Sequence, residues 1–487
     1  MDQFLINKDS AVPLYLQIYT QLRQAILQGV LPPGSRLPPT RRLAHQCGVA
    51  RLTVTEAYSQ LKAEGFITSR QGSGTYVSDS LPATAHIPRH LLPETQTPLS
   101  AWGERVMSTK PRVERPLSPR PPIDFGFGRA FHHIFPYDIW RKLLDRYLST
   151  DDAMLSRYGS VAGFDPLREA LAHYLGRLRG VVCRPDQVVI VSGAQQALDI
   201  LARLLLEAGD EVLMETPGYV DAYAVFQAFG AQVAYLPVDN AGFPVESIPA
   251  DSRARLLFVT PSNQFPKGGT MPLARRMALL QWAQNHGAFI VEDDYDGELR
   301  YDGRPLSALQ GLDKNGRVIY LGTFSKVLFP ALRLGYVVLP PELTEPFIQA
   351  KRLVDRGAPT LTQAAVSDFI NESHFERHLR HLRAAYGKRR EILVQALETY
   401  LPDIVQYSST PAGLHVMLFL PPQVEETAVI HKAAQAGVGV YAGARYHLQQ
   451  PAPPSILLGF SGLSEEDIEE GVRRLAGVLR GGGNSEG

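Results

Sequence analysis

A long proline-rich stretch stops this chain from folding as one continuous body. Between Leu81 and Pro122, prolines recur at positions 82, 88, 93, 98, 111, 116, 119, 121 and 122, with few apolar residues among them. Proline fixes φ and removes a backbone donor, so such a run favours extended, solvated backbone. We read residues 81–122 as a partly extended linker between a head, 1–80, and a body, 123–487. A chain of 487 residues also exceeds what one hydrophobic core serves. The simplest role for the linker is that of a passive tether.

In the head, Leu14, Ile18, Leu22, Ala25 and Ile26 have helical spacing over 13–29, opened by Pro13 and closed by Gly29. Leu31-Pro32-Pro33-Gly34 is a turn. Thr40 is expected to cap a short helix to about Gln46, broken by Gly48. A second helix from Arg51 to Ala63 puts Val54, Ala57, Tyr58 and Leu61 inside and ends at Gly65. Phe66–Arg70 and Thr75–Val77 read as two strands around Gln71-Gly72-Ser73-Gly74. This order makes a winged helix–turn–helix. Formal charge is zero over the whole chain, but the first 80 residues carry eight Lys/Arg and five acids, a sign that suits phosphate. At the start of the second helix, Arg51 is the base reader, since guanidinium matches the O6/N7 edge of guanine. Thr53 can touch a base or a phosphate. Arg36, Arg41, Arg42 and Arg70 suit backbone contacts, which position without specifying. Gly72 and Gly74 let the wing turn tightly against a duplex.

The body alternates apolar strands with helices. Val188–Val191 precedes a helix at Gln195–Glu207, and Glu211–Met214 precedes one at Tyr219–Phe229. Leu256–Val259, Ala288–Val291 and Val318–Leu321 follow, and beyond about 341 come a long helix and a smaller α+β subdomain. That is an α/β fold with a mainly parallel sheet, whose ligands bind at the carboxyl ends of its strands. The polar candidates lie there. Lys326, in Thr323-Phe324-Ser325-Lys326, can form a Schiff base with an aldehyde. Asp293, or its neighbour Asp294, can hold a pyridine nitrogen protonated, and Tyr295 can bond a phenolic oxygen. Together they suit pyridoxal 5'-phosphate (PLP). Thr323, Ser325 and Arg333 can serve its phosphate. So can the backbone of Ser192-Gly193-Ala194-Gln195, which follows a strand and opens a helix. Tyr219 can stack on the ring, and Asn263 or Gln264, in a rigid loop, can reach the cofactor.

The runs Leu37-Pro38-Pro39-Thr40-Arg41-Arg42-Leu43-Ala44, Gly48-Val49-Ala50-Arg51-Leu52-Thr53-Val54 and Gln71-Gly72-Ser73-Gly74-Thr75-Tyr76-Val77 closely resemble the GntR family head. Ala50 departs from its usual serine. The body's motifs, in their order, resemble fold type I aminotransferases over 123–487. The combination is similar to the MocR-type subfamily of GntR regulators. That resemblance implies a transcription factor sensing PLP, or an amine or amino-acid effector through PLP, in a head-to-tail homodimer on double-stranded DNA. It also implies at most residual transaminase activity. The alternative is an active aminotransferase with an accessory DNA-binding domain. Two departures weigh against that alternative. The family's arginine for a substrate carboxylate is replaced by Leu457 in Ile456-Leu457-Leu458-Gly459-Phe460. Asp221 stands two residues after Tyr219, where some amino-acid-sensing members carry an arginine. Arg445 remains as an anion contact for an effector.

Cys47 and Cys183 are the only cysteines, too few and too distant for a disulfide framework or a zinc cluster. We expect no metal. No segment reaches membrane-span length and the N-terminus lacks a signal pattern, so the expectation is a soluble cytoplasmic protein.

Overall fold

The computed structural model describes residues 5–79, 98–109, 120–128, 134–149, 156–402, 406–408, 410–448 and 451–481. It forms two compact units, Met1–Pro98 and Leu99–Gly487.

The first unit holds α1 (Leu14–Leu27), α2 (Thr40–Cys47), α3 (Arg51–Ala63), β1 (Ile67–Arg70) and β2 (Gly74–Val77). Ile18, Leu22 and Ile26, one face of α1, pack with Leu43, Val54, Leu61, Ile67 and Val77 into one small core. Gly48 ends α2 at φ 62°, where an L side chain is strained, and so permits the turn into α3. β1 and β2 pair antiparallel, from Ile67↔Val77 to Arg70↔Gly74. The expected winged helix–turn–helix is present. One detail differs: Pro39, not Thr40, occupies the N-cap of α2. Proline at that point sets the entry dihedral without a side-chain hydrogen bond, and Thr40 becomes the first helical residue.

The second unit begins inside the expected linker, with α4 (Ala101–Ser108). Ser100 caps α4 by accepting from the Gly103 N–H at 3.1 Å. β3 (Ile123–Asp124), α5 (Tyr137–Leu148) and α6 (Asp165–Arg179) lead to the main layer. There follow β4 (Val188–Val191), α7 (Ala194–Leu205), β5 (Glu211–Thr216), α8 (Val220–Phe229), β6 (Gln232–Pro237), β7 (Leu256–Val259), α9 (Leu273–His286), β8 (Phe289–Asp294), β9 (Val318–Thr323) and β10 (Gly335–Val338). α4 lies on α8, where Arg105 Nε donates to the Ala228 carbonyl at 2.8 Å and Trp102 meets Phe229.

The seven strands run in the order β4-β10-β9-β8-β7-β5-β6. β10 is antiparallel to both neighbours and the other pairs are parallel. Helices cover both faces. Val191, Phe258 and Leu321 pack against α7 and α8, while Leu257 and Ile290 pack against α9. A strand buried on both faces has no polar side to alternate with, hence the continuous apolar runs of β4 and β7.

α10 (Pro341–Val354), α11 (Thr360–Asn371) and the long α12 (His374–Tyr400) then cross to a smaller α+β part. It contains β11 (Gln406–Tyr407), β12 (His415–Phe419), α13 (Glu426–Gln435), β13 (Val438–Gly439), β14 (Tyr441–Ala442), β15 (Ser455–Gly459) and α14 (Glu465–Gly481). Its antiparallel sheet runs β11-β12-β15-β14, and β13 pairs with β3. No described helix is long and apolar enough to cross a membrane.

Candidate functional site

The carboxyl end of β8 sorts three consecutive acids by strand alternation. Glu292 accepts the N–H groups of Leu309 and Gln310 at 2.7 and 2.8 Å. Asp294 points to the same side, where Arg179 grips both its oxygens at 2.8 Å and the Tyr320 hydroxyl donates at 2.6 Å. Asp293, between them, faces the other way and lines a cavity of about 280 Å³. The sequence left Asp293 and Asp294 open for this position; Arg179 occupies Asp294.

Lys326 reaches the same cavity from the turn after β9. The Thr323 hydroxyl accepts the Ser325 N–H at 3.1 Å and shapes that turn. Lys326 Nζ lies 4.5 Å from the centroid of the Phe127 ring. A Cβ on Gly128 would come within 2.8 Å of Nζ, so a side chain there would displace the amine from this position. Burial pushes the Lys326 pKa down, against the pull of Asp296 and Asp293. The shift favours the neutral, nucleophilic amine. Burial, then the Asp294 charge, pushes Asp293 up to about 7, and Lys326 opposes the rise. A cationic ring nitrogen opposite Asp293 would favour its ionised form.

One end of the cavity is built for an anion. Gly193 caps α7 at φ 123°, and Ala194 and Gln195 begin the helix, so their N–H groups have no partner within it. Arg333 stands at φ 50° after a short turn, Pro330–Leu332. Its guanidinium would be 3.4 Å from a Cβ on Gly193. Thr323 and Ser325 line the same cavity. Gln195 Oε1 is buried without a hydrogen-bond partner among the described residues. One cation, two hydroxyls and a helix N-terminus form a donor set that suits a phosphate monoester.

Aromatic rings form the walls. Tyr219, at the N-cap of α8, and Tyr295 stand at 90° and 85° to Phe265, with centroids 6.3 and 5.6 Å away. Asn263 does not line the cavity; its Nδ2 donates to the Tyr295 hydroxyl at 3.2 Å and to Asp296 at 2.8 Å. Gln264 is spent on the carbonyls of Pro217 and Phe265. Arg445 is outside the lining. It sits in the turn Ala444–Tyr446, its guanidinium 5.2 Å from the Tyr446 ring centroid, and it pulls electrostatically on Asp221. Leu457, in β15, is buried with Val220, Phe265, Tyr295, Met417 and Tyr446. Sequence reasoning missed Phe127, Gly128, Phe265 and Pro330 as lining residues. The glycine-spaced run Phe125-Gly126-Phe127-Gly128 was the available signal.

In the head, Arg41, Arg42 and Arg51 are exposed and Thr53 is half-buried. Arg51 Nε is 3.4 Å from the Thr40 hydroxyl, a weak tether that leaves the guanidinium available. Arg70 pairs with Asp79 at 3.0 Å and lies over Tyr76, so it is less available than the others. Arg36 bridges to Tyr76 beside the wing. Gly72 and Gly74 have φ of 72° and 123°, and a Cβ on Gly74 would meet Arg36 Nε at 3.0 Å.

Residues 131–475 match the family described as aminotransferase class I and II, and residues 14–77 match the bacterial regulatory proteins of the gntR family. The chain is 40% identical to a probable rhizopine catabolism regulatory protein, MocR, of Rhizobium meliloti, over 97% of this chain and 94% of that one. It is 30% identical to the HTH-type pyridoxine biosynthesis transcriptional regulator PdxR of Corynebacterium glutamicum, over 95% of each. Among solved structures it resembles the Pyrococcus horikoshii kynurenine aminotransferase in complex with PMP. That likeness has a TM-score of 0.70 and 29% identity, over 81% of this chain and 97% of that one. A GntR head joined to an aminotransferase body identifies the family: the chain belongs to the MocR-type subfamily of GntR transcriptional regulators.

Proposed function

We propose that this chain is a DNA-binding transcriptional regulator whose body holds PLP at Lys326 and thereby senses PLP itself or an amine. One observation carries the reading: Lys326 and Asp293 line a single cavity with a phosphate-type donor set at one end, in the same chain as an exposed recognition helix. Bound there, PLP supplies an aldehyde and an electron sink for amines. Lys326, whose ammonium burial disfavours, would supply the amine that retains it. Asp293 keeps a proton on the pyridine nitrogen. Tyr295, steadied by Asn263, bonds the phenolic oxygen, and Tyr219 covers the ring. Arg333, Ser325, Thr323 and the start of α7 hold the phosphate.

Leu457 offers no charge to a carboxylate, and Asp221 repels one. Both argue against amino-acid transamination beyond a residual rate and favour PLP, or an amine without a carboxylate, as the signal. The pyridoxine biosynthesis regulator among the relatives supports the PLP version. Arg445, already engaged near Asp221, is a weaker effector contact than its sequence position implied. In the head, Arg51 and Thr53 read bases, while Arg36, Arg41, Arg42 and, less freely, Arg70 touch phosphates with the Gly72–Gly74 wing. A homodimer, head-to-tail as in the aminotransferase family, would present two heads to DNA in the cytoplasm. Ligand occupancy regulates only if two arrangements of the chain bind the ligand unequally.

The test is the visible absorption of the PLP-loaded protein during titration with amines and amino acids. A band moved by one compound, without conversion to pyridoxamine phosphate, names an effector; a band that nothing moves leaves PLP as the signal. Full conversion, reversed by a keto acid, makes the chain an enzyme. No band after adding PLP refutes the cofactor site.

A further inference from the structure

We infer that Gln196 and Asp355 are positioning residues that fix the phosphate-binding turn at the start of α7. The inference rests on the cofactor reading above and extends it to residues outside the cavity.

The turn Ser192-Gly193-Ala194-Gln195 leaves the sheet from β4, an edge strand whose one neighbour is β10. Sheet pairing ends at Val191↔Gly335, so the sheet itself does not hold the turn. A side chain does so instead. Gln196 Oε1 accepts the Ser192 N–H at 2.9 Å, reaching back across the first helical turn. The Gln196 amide must face the right way for this, and Asp355 decides which way. Gln196 Nε2 donates to Asp355 Oδ2 at 2.7 Å. A carboxylate only accepts, so the NH2 group is held toward Asp355 and the carbonyl is left for Ser192.

Asp355 is itself fixed by three hydrogen bonds from two partners. Lys351 Nζ donates to its two oxygens at 2.8 and 2.7 Å, and the Gly357 N–H donates to Oδ1 at 2.9 Å. Lys351 is fully buried. Its ammonium neutralises Asp355, which lets a carboxylate stand behind a phosphate site without repelling the phosphate. The chain Lys351–Asp355–Gln196–Ser192 thus runs from the end of α10 to the residue that leads into Gly193-Ala194-Gln195, whose N–H groups would bind the anion. None of these side chains lines the cavity, so they act through the turn.

PLP and pyridoxal carry the same aldehyde and ring and differ in the phosphate. The experiment titrates both into cofactor-stripped, full-length wild type, Gln196→Met and Asp355→Asn, and follows visible absorbance. Gln196→Met keeps the length of the side chain and leaves the Lys351–Asp355 pair intact. We expect it to raise the PLP dissociation constant about tenfold, as about one phosphate hydrogen bond from the displaced turn is lost, with pyridoxal changed less than about twofold. Asp355→Asn lets the Gln196 amide turn over and should show a phosphate-selective loss of the same sign, smaller because the Lys351 charge it leaves uncompensated attracts the phosphate. Equal weakening for PLP and pyridoxal, or no weakening for either, overturns the inference and leaves the cofactor reading standing. Failure of wild type to bind either compound removes the cofactor reading and this inference together.

Discussion

Arg179→Met tests the division of labour at the end of β8. Arg179 and Asp294 are both almost fully buried, with side-chain exposures of 0% and 2%. Beyond its two bonds to Asp294, Arg179 also donates to the Ser262 hydroxyl at 2.9 Å and to the Leu306 carbonyl. Methionine fills most of the space and leaves Asp294 with Tyr320 alone. Breaking a buried pair from one side costs about 3–5 kcal/mol, because a carboxylate stays buried without its cation. Urea unfolding followed by tryptophan fluorescence reads the body specifically, because Trp102, Trp140 and Trp282 all belong to Leu99–Gly487. Arg179→Met/Asp294→Asn should recover at least half of the loss. A single-variant loss under about 1 kcal/mol, or a double variant no better than the single, refutes the reasoning.

Lys326→Ala should keep the assembly state of wild type on size-exclusion chromatography and lose covalent retention of PLP after borohydride reduction. Mass spectrometry that still finds the cofactor covalently bound would place the nucleophile elsewhere. Arg51→Ala should cost about 1–3 kcal/mol on the cognate operator and far less on random DNA; equal losses in a binding titration would make Arg51 a phosphate contact. Burial pushes Glu215, Glu292 and Glu298 up to about 7 from 4.5, so each stabilises the cofactor-free fold at acid pH and loses that contribution as pH rises through 7. His378 and His415, lowered by burial to about 4 from 6.5, destabilise below 6.5 and regain only about 0.4 kcal/mol each as pH rises from 6.5 to 8.0, which offsets part of the carboxyl loss. Unfolding free energy should fall between pH 6.5 and 8.0 by on the order of 1 kcal/mol per carboxyl, and a flat or rising profile would contradict these assignments.

The head was legible because its determinants are local. Ile18, Leu22 and Ile26 recur at helical spacing, and Gly48 sits where a left-handed residue must join two helices. α4 was not legible. Its eight residues lie between Pro98 and Pro111, and Trp102 and Arg105 acquire meaning only beside Phe229 and Ala228. A short helix whose partner is distant in sequence looks like linker when its own composition is all there is to read. The antiparallel β10 was hidden for a related reason: an apolar strand reads the same in either direction.

The site divides along the same line. Thr323, Ser325 and Lys326 could be placed together because one turn carries them, and β8 announced its acids because an apolar run ends in charge. Assigning Asp293 and Asp294 needed Arg179, 115 residues before Asp294, which reaches one of the two acids and not the other. Strand alternation says that adjacent side chains part to opposite faces, but it does not say which face holds the cation. Asp355 makes the same point more sharply. Nothing in its neighbourhood in the sequence suggests PLP chemistry, yet its charge sets the direction of a glutamine amide that sets the position of a backbone N–H. Residues that touch a ligand must carry its chemistry and can be found by type; residues that aim them need only geometry, and geometry enters only with the fold.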